Sequence, residues 1–382
     1  MSGPLSGITV VEIVGLGPGP FCGMLLADLG ADVIRVDRVD PGRMFRPTDN
    51  HATDVMARSR RSIALDLKHP DGVDVVLGLA ARSDALFEGM RPGVAERLGI
   101  GPEACLAVNP ALVYGRMTGW GQEGPWAAMA GHDIDYIAVT GMLGAIGTAG
   151  GPPVPPLNLL GDFGGGGLML AFGMLAGLLH ARATGEGQVV DAAMVDGASV
   201  LGAMVFGLAA AGGWSPERGT NLLDGGAPFY AVYQAGDGGY LAVGAIEPQF
   251  FAVLLDGLGL PAELAAEQWD RDRWPAHRDT IAAAFACRGR DEWADVFAGT
   301  DACVAPVLSY EEAPQQPHLA ARGTFVEVAG VIQPAPAPRF SGTPSSHPEA
   351  PVGPGTHTDE LLAELGHPPD AIAALRAAGV VG

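Results

Sequence analysis

His132 and Asp162 are the two residues whose type and setting suit proton chemistry. They stand 30 positions apart, in AGHDIDY (130–136) and LNLLGDFGGGG (157–167), each next to a glycine. Glycine lets a ligand come close to the backbone. The glycine-rich apolar run after Asp162 predicts a helix, and a helix start offers unpaired N–H groups to developing negative charge. A neutral imidazole can remove a proton near neutral pH. An aspartate facing an apolar pocket is pushed by desolvation toward a pKa suited to protonating carbon. The pair therefore reads as two acid/base groups beside a backbone anion site. Asp162 alone would read better as a plain helix N-cap; the glycines on both sides tip the balance to the chemical reading. Most other histidines are explained by their settings: His69, His318, His347 and His367 each neighbour a proline, and His51, His277 and His357 lie in polar stretches.

The elements that must position this pair begin with an alternation of strand and helix. Strands are predicted at 8–14, 33–36, 62–67, 85–88 and 112–117, with helices at 21–29, 72–82 and 102–108. That order argues for a Rossmann-like parallel α/β sheet. The turn Gly15-Leu16-Gly17-Pro18-Gly19-Pro20, with Asp37 about 20 residues on, superficially resembles a dinucleotide fingerprint. Its spacing is wrong, and its prolines remove N–H donors, so it reads instead as a tight turn or a pocket wall. Beyond Trp214 the pattern changes to a smaller α+β domain, with strands at 240–245 and 302–308 and helices at 248–258 and 291–297. The expected division is a large domain over 1–200, completed by about 330–382, a linker helix region over 201–220, and a small domain over 221–329. The apolar runs 163–179 and 200–211 both read as buried helices, with no membrane insertion.

The net charge of −21 over 382 residues excludes the basic face that nucleic-acid binding needs. Cys22, Cys105, Cys287 and Cys303 lie far apart without CxxC spacing, which signals neither a zinc site nor a disulfide framework and suits a reducing cytoplasm. No metal ligand set is apparent. Arg35, Arg38, Arg61, Lys68, Arg91 and Arg97 form the richest basic set of this acidic chain, all within its first hundred residues. Their clustering would recruit an anion locally.

GHDIDY followed by PLNLLGDFGGGG resembles the alpha-methylacyl-CoA racemase branch of the class III CoA-transferase family. The resemblance extends through VVEIVGLGPGPFCGMLLADLGADVIRVDR (10–38), SIALDLK (62–68), TGWGQEGP (118–125), GEGQVVDAAMVDG (185–197), LLDGGAPFY (222–230) and VGAIEPQFF (243–251). It implies a homodimer interlocked like chain links and an acyl-CoA thioester substrate, with no separate cofactor. The implied reaction interconverts (R)- and (S)-2-methylacyl-CoA through an enolate, with His132 and Asp162 serving opposite faces. It further implies that Glu88 hydrogen-bonds His132, that Glu247 reaches the active site from the small domain, and that Arg38, the segment Leu65-Asp66-Leu67-Lys68, and the segment Gly131, Asp133, Ile134, Asp135 and Tyr136 follow the thioester. Arg91 and Arg97 complete the expected anion contacts. From the residues alone, Glu88 also suits an ion pair with Arg91, and Glu247 a helix-start acid. Position 135 departs from the branch, which commonly has Asn. The alternatives are a CoA-transferase using Asp162 as acyl-accepting nucleophile, and a non-catalytic acyl-CoA-binding protein.

Overall fold

The computed structural model describes residues 2–40 and 50–382. The chain folds into two compact units, one of Met1–Thr140, Leu157–Leu201 and His318–Gly382, the other of Gly141–Pro156 and Gly202–Pro317. Residues 201–220 are thus not a separate linker, and the expected small-domain boundary near 329 lies at 317.

In the first unit, six strands form one parallel sheet: β1 (Thr9–Ile13), β2 (Asp32–Arg38), β3 (Arg61–Leu65), β4 (Ala85–Glu88), β5 (Val113–Thr118) and β6 (Gln188–Ala193). Their spatial order is β3-β2-β1-β4-β5-β6. The strands read as continuous apolar runs because both faces are covered. Val11, Ile34, Ile63 and Leu86 pack on one side, with the core residues of α2 (Pro70–Ala80) and α4 (Pro102–Val108). Val10, Val33, Ala85 and Val113 pack on the other, with α1 (Pro18–Asp28) and the Met169–Thr184 helix. The C-terminal tail returns to the first side: Leu361, Leu362, Val380 and Val381 are buried there, and Val381 bridges Leu65. The strand order reverses between β1 and β4. A crevice therefore opens there, at the carboxyl ends of the strands.

Three expectations need correction. β6 escapes the hydropathy pattern because Gln188–Asp191 are largely exposed and only Ala192 and Ala193 are buried. The glycine-rich helix starts earlier than Phe163: a π-helical segment, Leu159–Leu168, runs directly into Met169–Thr184, and Asp162 lies inside it. This 26-residue stretch is long and apolar enough to cross a membrane. Here it lies on the sheet, with Gly173 against Val190 and Gly177 against Val113. The run 200–211, expected to be one buried helix, is divided between Met194–Leu201 and Ala203–Ala210, and the second buries none of its residues. Phe206 there is 54% exposed. A segment apolar all round carries no information about which face is covered.

The second unit holds a three-stranded antiparallel sheet of β7 (Tyr230–Gln234), β8 (Tyr240–Gly244) and β9 (Val304–Pro306). Helices Pro248–Leu258, Trp274–Phe285 and Arg290–Phe297 close its core around Phe229, Phe251, Phe285 and Trp293. The hairpin Phe325–Val328/Val331–Pro334 belongs to the first unit.

Candidate active site

A cleft of about 270 Å³ occupies the crevice between β1 and β4. Its walls are the loops that follow β1 (Gly15–Gly19), β4 (Gly89–Pro92) and β5 (Gly119, Trp120), together with Ala127, Met129–His132 and Asp162. Met90, Met117, Met129, Met194 and Trp120 make it largely apolar. The Gly15–Pro20 turn is a wall of this cleft. At Gly17, where φ is +63°, a Cβ would stand 3.0 Å from Asp162 Oδ2, so the absence of a side chain is what lets the turn meet that carboxyl.

His132 is the exposed N-cap of α5 (Asp133–Val139). Its backbone N–H donates to Asp135 Oδ2 at 3.0 Å. Asp135 is therefore the acid that closes the helix start, and an asparagine carbonyl at this position would serve the same bond. Tyr136, one turn on, is buried, and its hydroxyl donates to the Gly131 carbonyl. Its ring crosses Trp120 edge-on at 4.8 Å. A Cβ at Gly119 or Gly131 would lie within 2.0 or 2.7 Å of that ring, so both glycines serve its packing.

Asp162 faces the same cleft, half-buried, and Asn158 Nδ2 donates to its Oδ2 at 3.1 Å. Desolvation raises its pKa above the ordinary 3.8; the Asn158 hydrogen bond opposes this, the Asp133 charge adds to it, and His132 opposes it. Asn158 was not foreseen, although a polar partner four residues before Asp162 is the i, i+4 spacing of helical side-chain pairs.

The anion site expected at Asp162 is not free. The Asp162 N–H donates to Asp133 Oδ1 at 2.6 Å. The glycines after it serve packing: a Cβ at Gly165 would meet the backbone of Gly197 and Ala198, and one at Gly167 would meet Pro18 and Phe21. Asp133 itself is only 6% exposed, so it supports Asp162 rather than lining the cleft.

Glu88 does not bond His132, nor does it pair with Arg91. It is 1% exposed, accepts the Met90 N–H at 2.5 Å and faces Arg116 Nε at 3.4 Å. Burial pushes its carboxyl up to about 7, against the pull of the Met90 N–H and Arg116. Arg116 stands in register between Glu88 on β4 and Asp191 on β6, and Asp191 in turn accepts the Gln122 N–H. This charged row holds the starts of two loops that wall the cleft. A lone arginine inside the strand VYGRMT was the sequence signal for it.

The basic set divides. Arg35 is buried in a pair with Asp37, and Arg61 pairs with Asp32, Glu360 and Glu364. Arg91 is exposed and lines the cleft; Arg38, Lys68 and Arg97 are not part of its wall. Leu65 is a core residue, and the Asp66 N–H bonds the Val380 carbonyl, so neither the Leu65 side chain nor that N–H is open to a ligand. Leu67 packs against the same core cluster, and Ile134 is exposed outside the cleft wall. Glu247 is the N-cap of Pro248–Leu258 in the second unit, near Cys303, whose thiol is pushed up by desolvation and then by the Glu247 charge.

The family model described as CoA-transferase family III matches residues 5–358. Alpha-methylacyl-CoA racemase of Mus musculus is 46% identical over 381 residues, which is 99% of this chain and 97% of that one. The Homo sapiens protein of the same name is 45% identical over 365 residues, 95% and 93% of the two chains. Among solved structures, a CaiB/BaiF family protein from Brucella suis superposes with a TM-score of 0.80 at 26% identity, covering 96% of this chain and all of that one. A match of this extent, with a cleft at the switch point of the same six-stranded sheet, places the chain in the class III CoA-transferase family.

Proposed function

We propose that the protein is an isomerase that interconverts (R)- and (S)-2-methylacyl-CoA thioesters. The observation that carries this reading is that His132 and Asp162, two chemically different acid/base groups, line one apolar cleft. In one direction the neutral imidazole takes the α-proton as the C–H bond breaks, and the electron pair passes into the thioester as an enolate. Protonated Asp162 then delivers its proton to the opposite face, forming the new C–H bond. The reverse direction exchanges the roles, and no atom is gained or lost. Desolvation of Asp162 favours its protonated form, which suits the acid role. The cleft volume fits the acyl end of the substrate rather than a whole CoA. Arg91 at its wall, with Arg38, Lys68 and Arg97 outside it, would meet the CoA phosphates. No cofactor is needed, since CoA is part of the substrate.

The same reading extends to a homodimer, in a reducing cytoplasm and in lipid metabolism. Phe172 and Leu179 on the long helix are 68% and 72% exposed, apolar surface that a second copy would cover. The four free thiols suit a reducing compartment.

The test is incubation of one 2-methylacyl-CoA epimer in D₂O, with mass and chirality read together. One deuterium per inverted centre is expected. A covalent adduct trapped by hydroxylamine at Asp162, with CoA passing to a free acid, would instead establish the transferase. In the variants, His132→Ala and Asp162→Asn should each slow inversion by about 10²–10⁴-fold. Each should retain slow exchange on the face of the remaining group, so that opposite epimers label. Normal inversion by either variant removes that residue from the mechanism.

A further inference from the structure

Asp133 connects the two groups of the cleft. It follows His132 directly and occupies the first position of α5. Its Oδ1 accepts the N–H of Asp162 at 2.6 Å, across 29 residues of chain. Gly161 leaves the space for this contact, since a Cβ there would lie 2.4 Å from Asp133 Oδ1. The second oxygen, Oδ2, is buried and has no hydrogen-bond partner. A carboxylate half satisfied in the interior is costly. A plain structural acceptor for one N–H would be met equally by an uncharged side chain. Retaining a charge here needs a reason, and the group it acts on is the Asp162 carboxyl, whose pKa is raised first by desolvation and further by the Asp133 charge.

We infer that Asp133 is a positioning residue with two tasks: its Oδ1 fixes the Asp162 segment in register with the His132 turn, and its buried, unpartnered Oδ2 sets a negative charge against the Asp162 carboxyl. This deepens the racemase reading and rests on it. The groups acting on Asp162 from the elements around it are few. From α5 come His132, which favours the ionised form, and Asp133, which disfavours it; Asn158 precedes Asp162 on its own helix and favours the ionised form. Burial raises the Tyr136 hydroxyl, and the Asp162 charge adds to it. The Gly15–Pro20 turn brings no titratable side chain, and the Met194–Leu201 helix brings Met194 to the cleft.

Asp133→Asn separates the two tasks, because an amide oxygen still accepts the Asp162 N–H while the charge is gone. The decisive measurement does not depend on turnover. ¹³C-carboxyl titration of Asp162, assigned by the loss of its signal in Asp162→Asn, should show a lower midpoint in Asp133→Asn than in the unsubstituted protein. An unchanged or higher midpoint overturns the inference. A protein without racemase activity but with the shifted midpoint would overturn the functional reading and leave the electrostatic one standing. In the kinetics, the acid limb of kcat/KM against pH should move to lower pH in Asp133→Asn, with KM kept; a stationary limb counts against the charge.

Asp133→Ala removes the acceptor as well. It should lower kcat by about 10²-fold, since small misplacements of reacting groups cost that much, and Asn at the same position should restore most of it. A kcat within threefold of the parent, or an Asn variant as slow as Ala, overturns the register task. Thermal melting of each variant shows that the comparison is made on folded protein.

Discussion

Two regions of the first unit's sheet treat charge in opposite ways. At the β2–β3 edge, among the described residues, every buried cation is committed: Arg35 to Asp37, Arg58 to Asp28, Arg60 to Glu12, and half-buried Arg61 to three acids. At the β1–β4 crevice the balance is left open: Asp162 has an amide for its closest partner, and Arg91 stands at the wall in an exposed loop. Committed pairs hold the fold. Uncommitted groups with shifted equilibria are what proton transfer requires.

The largest expected effect that separates the two regions is on stability. Arg60→Met strands Glu12, which is wholly buried, and also releases the Pro20 carbonyl at the start of α1. A loss of about 3–5 kcal/mol is expected, with most of it recovered in the Glu12→Met/Arg60→Met double variant. Denaturant midpoints check this. A single variant within about 1 kcal/mol of the parent would place the edge with the adaptable crevice.

Glu88 lies between the two regimes, buried yet partnered only loosely with Arg116. Its carboxyl is raised from the ordinary 4.5 to about 7, so between these values the folded protein binds a proton that the unfolded chain does not. Stability from this group is therefore full below pH 4.5 and falls as pH rises to about 7. The loss is on the order of 3 kcal/mol. Glu88→Gln should flatten that part of the pH–stability curve; an unchanged slope would show that Arg116 keeps Glu88 ionised.

The smallest effects concern the surface cations. Arg91→Ala should raise KM for acyl-CoA by about tenfold or less with kcat kept, as expected of a contact made equally in ground and transition states. Arg38→Ala should act in the same direction. Arg61→Ala should leave KM alone and cost up to about 1 kcal/mol of stability. If Arg61→Ala raises KM and Arg91→Ala does not, the division between committed and open cations is misplaced.

Much of this was written locally in the chain. β1 through β5 are short apolar runs between turn residues, and Pro18, Pro70 and Pro102 open the helices that follow turns. Local pattern also singled out His132 and Asp162, because their glycine settings differ from those of the other candidates. It failed where the partner lies far away in sequence. Asp133 looked like a substrate contact because nothing local says that its oxygen is spent on the N–H of Asp162. The glycines at 164–167 looked open to a ligand, yet they face Pro18, Phe21 and the Met194–Leu201 helix. For Glu88 the sequence offers His132 by resemblance and Arg91 by nearness along the chain, whereas its neighbour across the sheet is Arg116.

Sequence by itself determined five of the sheet's six strands and singled out His132 and Asp162 as the candidate acid/base groups, because apolar periodicity and residue type are properties of each segment. Only the tertiary structure decided which arginines remain open, which N–H groups are already satisfied, and which carboxyls carry raised pKa values. Those depend on burial and on partners from other strands and loops, and an ion pair or a desolvated acid exists only once the chain has brought its members together.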